Sequence, residues 1–341
     1  MATYQFPVSL DEETSRRALL RRAGAVGVAA SAAGAGLAAG GRAVATSNEH
    51  AFVGSAAAAQ ALFTPYDPHL ASVEAGPKDI AVVMKDATVM VAKDITMAAW
   101  TFDGTVPGRT MRVVEGDTVN FTLTIDPTAT MGHSLDFHSA QTPPNVNYKT
   151  INRGESFSWS FTPKHPGAYM YHCGTPPVLL HIGAGMYGAM IVDPKEGWAP
   201  AQELILVQSE LYLVDGENGI KVPDITKMFG NGNMDYVAFN GYANQYVENP
   251  IDVRVGEPIR IFLVNAGPNV WSSFHVVGAI FDRACVNANP KNELFGLQSI
   301  SVGPGDGACV EFTLAEPGEY LAVNHAFGHA THGAVAVLRA S

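Results

Sequence analysis

Between Tyr169 and Met190 the chain reads Y-M-Y-H-C-G-T-P-P-V-L-L-H-I-G-A-G-M-Y-G-A-M, which places His172, Cys173, His181 and Met186 within fifteen residues. A thiolate, two imidazoles and a thioether are the ligand set of a blue-copper electron-transfer centre, a trigonal His₂Cys site with a weak axial Met. The spacing predicts that Cys173 closes a strand, that Thr175-Pro176-Pro177 turns the chain, and that His181 and Met186 return from the loop. His172 is then surplus. Adjacent side chains on a strand point to opposite faces. With Cys173 holding a metal inside, His172 must face outward, toward something else.

Upstream lies Met131-Gly132-His133-Ser134-Leu135-Asp136-Phe137-His138. His133 and His138 are five apart, an odd number, so on one strand they face opposite sides. One can join Cys173 and the other His172. With His133 inward, His133, Cys173, His181 and Met186 complete the first copper. His138 and His172, outward, are one short of the three imidazoles common at catalytic metals with an open position. The natural third is His325, the counterpart of His172 in a repeat described below. Asp136, two residues from His138, shares the outward side and sits beside that open position.

The elements that must position these groups are strands. Val119, Phe121, Leu123 and Ile125 alternate with polar residues, the period of a half-buried strand. Turn signals recur about every ten residues, as at Asp103-Gly104, Pro107-Gly108 and Glu115-Gly116-Asp117, the rhythm of a sandwich or barrel. The chain then repeats itself. Val113-Val114-Glu115-Gly116-Asp117-Thr118-Val119 is echoed by Val253-Arg254-Val255-Gly256-Glu257-Pro258-Ile259. Phe161-Thr162-Pro163-Lys164-His165-Pro166-Gly167-Ala168-Tyr169 is echoed by Phe312-Thr313-Leu314-Ala315-Glu316-Pro317-Gly318-Glu319-Tyr320. Each is followed by a histidine, His172 or His325, but Ala326 stands where the first copy has Cys173. An all-β chain of two duplicated barrels follows, only the first with a thiolate. The expected units are residues 76–195 and 200–341, joined at Asp193-Pro194-Lys195-Glu196-Gly197 and preceded by an arm at 46–75.

Composition agrees. Charged residues are 16% of the 341, and Gly and Pro number 34 and 21, which suits short strands and turns. The net charge of −11 argues against nucleic acid, which calls for basic patches. Three cysteines, 173, 285 and 309, make no disulfide framework; Cys173 is the one expected to do chemistry, and Cys285 and Cys309 read as small buried residues. Residues 1–45 read as a twin-arginine export signal: Ser15-Arg16-Arg17-Ala18-Leu19-Leu20-Arg21, an Ala/Gly-rich run from Ala23 to Gly40, and an Ala43-Val44-Ala45 cleavage box. That run is too short for a stable membrane span. The expected mature protein is acidic, without a membrane span, and periplasmic.

The segments W-T-F-D-G-T-V-P-G (100–108), H-S-L-D-F-H (133–138), H-C-G-T-P-P-V-L-L-H-I-G-A-G-M-Y-G (172–188) and V-N-H (323–325) resemble those of copper-containing nitrite reductases over about residues 76–338. The eight-residue step from Cys173 to His181 is similar to the group with the tighter linking loop. The resemblance implies two tandem cupredoxin-like Greek-key β-barrels or sandwiches per subunit, and a homotrimer. It implies a type 1 copper on His133, Cys173, His181 and Met186, and a type 2 copper on His138 and His172 with His325 from a neighbouring subunit. It also implies that Asp136 and His275 are the active-site acids and that Val277 lies over the substrate. The implied reaction takes nitrite, one electron and two protons to nitric oxide and water. The electron would come from a small soluble donor, a cupredoxin or a cytochrome c. Such a donor, if acidic, would be repelled by the surface as a whole and would dock on an apolar patch near His181.

Two other readings predict different residues. A two-domain multicopper oxidase needs several H-x-H pairs for a trinuclear centre, and none of the eleven histidines forms one. A simple blue-copper electron carrier needs neither Asp136, His275 and His325 nor a second unit. His329 and His332 exceed what any of these readings requires and are expected to be solvated.

Overall fold

The structure, a computed structural model, describes residues 63–341 except 231. The export signal expected at 1–45 and residues 46–62 of the arm lie outside the described residues. Among the described residues no helix is long and apolar enough to cross a membrane.

The strands are β1 (Lys78–Ala92), β2 (Ile95–Phe102), β3 (Met111–Val114), β4 (Val119–Ile125), β5 (Asp136–Phe137), β6 (Ser156–Phe161), β7 (Gly167–His172), β8 (Tyr187–Asp193), β9 (Gln202–Leu211), β10 (Leu213–Asp215) and β11 (Lys221–Pro223). They continue as β12 (Tyr236–Phe239), β13 (Asn249–Val253), β14 (Pro258–Gly267), β15 (Ser272–Val276), β16 (Phe281–Val286), β17 (Glu293–Leu297), β18 (Ile300–Val302), β19 (Gly307–Thr313), β20 (Gly318–Asn324) and β21 (Val335–Ala340). Among the described residues the helices are short, three to six residues each.

The repeat seen in the sequence is a repeat of topology. In one sheet the order β2-β1-β4-β6 has β1 and β4 parallel and β4 and β6 antiparallel; in another, β12-β9-β14-β19 has β9 and β14 parallel and β14 and β19 antiparallel. The facing sheets correspond as well. The order β3-β8-β7-β5 matches β13-β21-β20-β15, each with a parallel first pair and antiparallel remainder. This is the tandem cupredoxin-like all-β fold that the sequence predicts.

Burial follows the sequence where one face meets solvent. Val119, Phe121, Leu123 and Ile125 point into the core while Asn120 is exposed. On β9 and β14 the alternation disappears and nearly every residue is buried, because these strands are covered on both faces. Their second cover is a seam in which Ala168, Met170, Tyr187 and Ala189 of β7 and β8 pack against Ile205, Val207, Phe262 and Val264 of β9 and β14. Beside it runs a ladder of alternating charges. Arg112 joins Asp193 and Glu203; the buried Arg260 joins Glu203 at 2.7 Å and Glu311 at 2.6 Å; Arg283 joins Glu311 and Glu293. The Trp198 ring lies 4.7 Å from the Arg260 guanidinium. Each buried charge is thus paired, without which its desolvation would cost several kcal/mol.

The described part of the arm packs on its own chain. The Ile205 amide donates to the Pro68 carbonyl at 2.8 Å and the Leu70 amide to the Glu203 carbonyl at 3.0 Å. The Tyr66 amide donates to Gln245 Oε1 at 2.6 Å.

The seam has no slack at Gly307, where a Cβ would lie 2.1 Å from the Ala168 carbonyl oxygen. That atom is backbone and cannot step aside without parting β7 from β19. Gly307→Ala should therefore lower stability by about 1–3 kcal/mol, the usual range for overpacking. Denaturant unfolding reads this directly, and an unchanged midpoint would show that the two strands can separate freely.

Candidate metal centres

Strand β7 ends at His172, and its pairing with β5 sets Asp136 opposite His172 and Phe137 opposite Tyr171. Cys173 follows, its amide bonded to the Met186 carbonyl at 3.1 Å. The chain then turns through Pro176 and Pro177 into the short helix Val178–Gly183, whose last turn carries His181. The Met186 amide closes the loop on the His181 carbonyl at 3.1 Å. His133 does not lie on a long strand shared with His138. It is held by a single bridge to Ile151, and only residues 136–137 are strand.

Three ligand atoms converge inside. Cys173 Sγ is 3.2 Å from His181 Nδ1 and 3.7 Å from His133 Nδ1, and the two Nδ1 atoms are 3.1 Å apart. All three residues, and Met186, are wholly buried. The Trp100 ring packs 4.7 Å from that of His181 and 5.4 Å from that of His133. The Ser134 amide donates to Cys173 Sγ at 3.5 Å. Burial pushes the Cys173 thiol up, against the pull of bonds from Ser134 and Thr175. Burial, with His181 beside it, pushes His133 down to about 2. Two neutral imidazoles and a sulfur with converging lone pairs are the donor set of a soft or borderline cation.

A second group forms on the other side of the His172-Cys173 peptide. Asp136, His138 and His172 bring one ligand atom each within 4.8 Å of one another. His172 Nδ1 lies 2.9 Å from the Cys173 carbonyl oxygen and His138 Nδ1 lies 3.2 Å from that of Gly305. A carbonyl oxygen only accepts, so each ring donates at Nδ1 and keeps a lone pair at Nε2. Those two Nε2 atoms face each other at 3.1 Å. Neutral, they repel across that gap. A cation between them removes the conflict, and backbone carbonyls on the far nitrogen are the usual support of metal-binding histidines. Burial is the main force pushing the His172 pKa down, with His138 adding to it, against the Cys173 carbonyl and Asp136. Asp136 Oδ2 stands 3.9 Å from His172 Nε2. The residues thus fit a metal at both places.

His325 joins neither group. Its ring lies 5.5 Å from that of His275, beside a cavity of about 170 Å³ lined by Ser273, His275, Gln298, Ser299 and His325. His275 donates through Nδ1 to the Gln298 carbonyl. Val277 follows at the end of β15 and is exposed. His329 is not simply solvated: its Nδ1 accepts from Asn324 Nδ2 at 3.0 Å, and burial pushes its pKa down. Sequence reasoning assigned no part to Trp100, Ser134 or Gly305. Trp100 was visible within a motif, but nothing local marks a ring as the cover of two distant histidines.

The depressed pKa of His133 has a consequence for the metal-free protein. Below about pH 6.5 the unfolded chain takes up a proton at His133 that the folded chain refuses. Stability must then fall with falling pH, by about 1.4 kcal/mol per unit. Between pH 7 and 5 the metal-free protein should lose roughly 2 kcal/mol from this group, and His133→Leu should show a correspondingly shallower slope. Equal slopes for the two proteins in thermal or denaturant unfolding would contradict the assignment.

Comparison with known proteins agrees with this geometry. The multicopper oxidase family pattern matches residues 83–197. A copper-containing nitrite reductase from Neisseria meningitidis serogroup A is 37% identical over 257 residues, which is 73% of this chain. The chain spans 66% of that relative's length. Copper nitrite reductase from Nitrosomonas europaea superimposes with a TM-score of 0.73 at 38% identity, covering 78% of this chain and 94% of that one. A Cu-containing nitrite reductase from Thermus scotoductus gives 0.70 at 33% identity, covering 77% and 62%. With two metal-competent clusters back to back on one strand end and relatives of this kind along most of its length, the chain belongs to the family of copper-containing nitrite reductases.

Proposed function

We propose that this protein reduces nitrite to nitric oxide, with a type 1 copper held by His133, Cys173, His181 and Met186 and a type 2 copper held by His138, His172 and His325 of the partner subunit. The observation that carries the reading is that consecutive residues, His172 and Cys173, each enter a different cluster. Bound copper would supply one-electron transfer at the first place and Lewis acidity at the second.

The chain's own residues do the rest. The His172-Cys173 peptide unit is a continuous covalent path between the clusters. Asp136, within 4 Å of His172 Nε2, is placed to hold a proton against an oxygen of nitrite as the N–O bond breaks. His275 and His325 share one cavity, so a partner that brings His325 to His138 and His172 brings His275 with it. His275 is then the second proton source, and Val277, exposed just beyond the end of that strand, lies over the substrate. The same requirement calls for a second copy, and the family resemblance makes the assembly a homotrimer.

We assign residues 76–195 and 200–341 to the two cupredoxin-like units and residues 1–45 to twin-arginine export, which places the protein in the periplasm. Near His181 the surface is apolar. Pro176 is exposed, Val178 and Leu179 are half-buried, and the exposed Phe229 follows Met228, which packs against Gly183. That patch suits a small soluble electron donor, a cupredoxin or cytochrome c.

The match to multicopper oxidases favours no oxygen-reducing centre here, because the described histidines form only the clusters above. Copper analysis with EPR tests the proposal. Two coppers per subunit are expected, and only the type 2 signal should shift on adding nitrite; one copper with a signal indifferent to nitrite would overturn it. Cys173→Ala should abolish the visible thiolate-to-copper band while leaving type 2 copper bound. Asp136→Asn should keep both coppers yet cut nitrite turnover about 10²-fold or more. Normal turnover in that variant would remove Asp136 from its role.

A further inference from the structure

Cys285 and Cys309 are a hundred and more residues from the metal-competent clusters in sequence, and no step above uses them. The fold sets them directly opposite each other on β16 and β19. Both are wholly buried and unbridged. They lie in the seam with Ala168, Met170, Tyr187 and Ala189, the residues of β7 and β8 that meet the second sheet.

We propose that Cys285 and Cys309 form a reversible dithiol site that closes to a disulfide by exchange with a low-molecular-weight disulfide. The register supports this. The Asn287 amide donates to the Gly307 carbonyl at 2.8 Å, so the 287/307 pair is a hydrogen-bonded position. The 285/309 pair, two residues along, is another. Cα atoms at such positions are about 5.5 Å apart, inside the span that a disulfide bridges. The side chains there stand farther apart than at the alternate positions, so closure draws the strands together and the bond is readily reduced again.

The two thiols are not equivalent. Cys309 hydrogen-bonds to Cys285, and that bond with the nearby Arg283 guanidinium pulls the Cys285 pKa down, while the Cys309 pKa is driven up. Cys285 is thus the attacking thiolate and Cys309 the resolving thiol. It is also the one with a route to solvent. Val286 and Asn287, next in the chain, are exposed, and Asn287 and Ala288 hold φ of +56° and +51°, a conformation that alanine disfavours. The exchange proceeds when this turn, held by the Asn287 amide on the Gly307 carbonyl, opens locally.

The exchange balances. Cys285 attacks one sulfur of the small disulfide, forming a mixed disulfide and releasing one thiolate. Cys309 loses its proton to solvent and attacks the Cys285 sulfur, releasing the second thiolate. Two protein thiols are oxidised and one small disulfide is reduced to two thiols. The turn is also tied to β7, since the Asn287 carbonyl accepts from the Ala168 amide at 2.9 Å. Closure therefore acts on the strand that ends in His172. The inference does not depend on the nitrite-reducing reading.

The test is to incubate the full chain as isolated with oxidised glutathione, quench in acid, denature, alkylate and map the peptides. Most chains should yield a Cys285–Cys309 cross-linked peptide that dithiothreitol abolishes, with Cys173 still alkylated. In Cys309→Ser a glutathione adduct should persist at Cys285. The wild-type map decides the matter even if that variant folds poorly. Full alkylation of both cysteines, with urea below the unfolding midpoint included to open the seam, would overturn the proposal. So would an unresolved glutathione adduct at Cys285 in the wild type.

Discussion

Alternation at the end of β7 is the constraint on which the site depends. A strand sends consecutive side chains to opposite faces, and the chain places a histidine and a cysteine on the last such step. Cys173 turns into the apolar interior of the first sandwich, where His133 and His181 meet its sulfur and Met186 is buried in the same core. His172 turns outward to Asp136 and His138. Neither group could shift by one residue without exchanging faces, so one peptide unit fixes both clusters and the distance between them.

Electrostatics then decide what those clusters are ready to hold. Desolvation lowers the pKa of His172 and, most strongly, of His133, and a neutral imidazole is a ligand where an imidazolium is not. In the outer cluster the tautomers are set from behind by main-chain carbonyls, one from Cys173 and one from Gly305 in the second half of the chain. The result is two lone pairs directed at each other. A positive charge between them relieves that repulsion, and a metal ion is one that fits.

The second half lacks a thiolate at Ala326, yet it is not spare. Its sheet β9-β14-β19-β16 backs β7 and β8 through the seam, and the charge ladder from Asp193 to Glu293 crosses the same ground. The second half also sets His275 and His325 side by side, outside the group of Asp136, His138 and His172.

Much was decided by residue type and spacing alone. Strand period, the duplicated Gly-acid and Pro-Gly turns, and the odd interval between His133 and His138 are local properties. They predict an all-β duplicated fold and the division of the histidines into two groups. Only the tertiary structure decided the rest. It cut the strand between those histidines to two residues, laid Trp100 on the inner pair, and put Gly305 behind His138. It buried β9 and β14 on both faces, and it brought Cys285 and Cys309 into register across a ladder. The reason is physical: period and spacing act within a few residues, whereas contacts between residues 100 and 181, 138 and 305, or 285 and 309 depend on how strands pair and sheets pack, which no local pattern encodes.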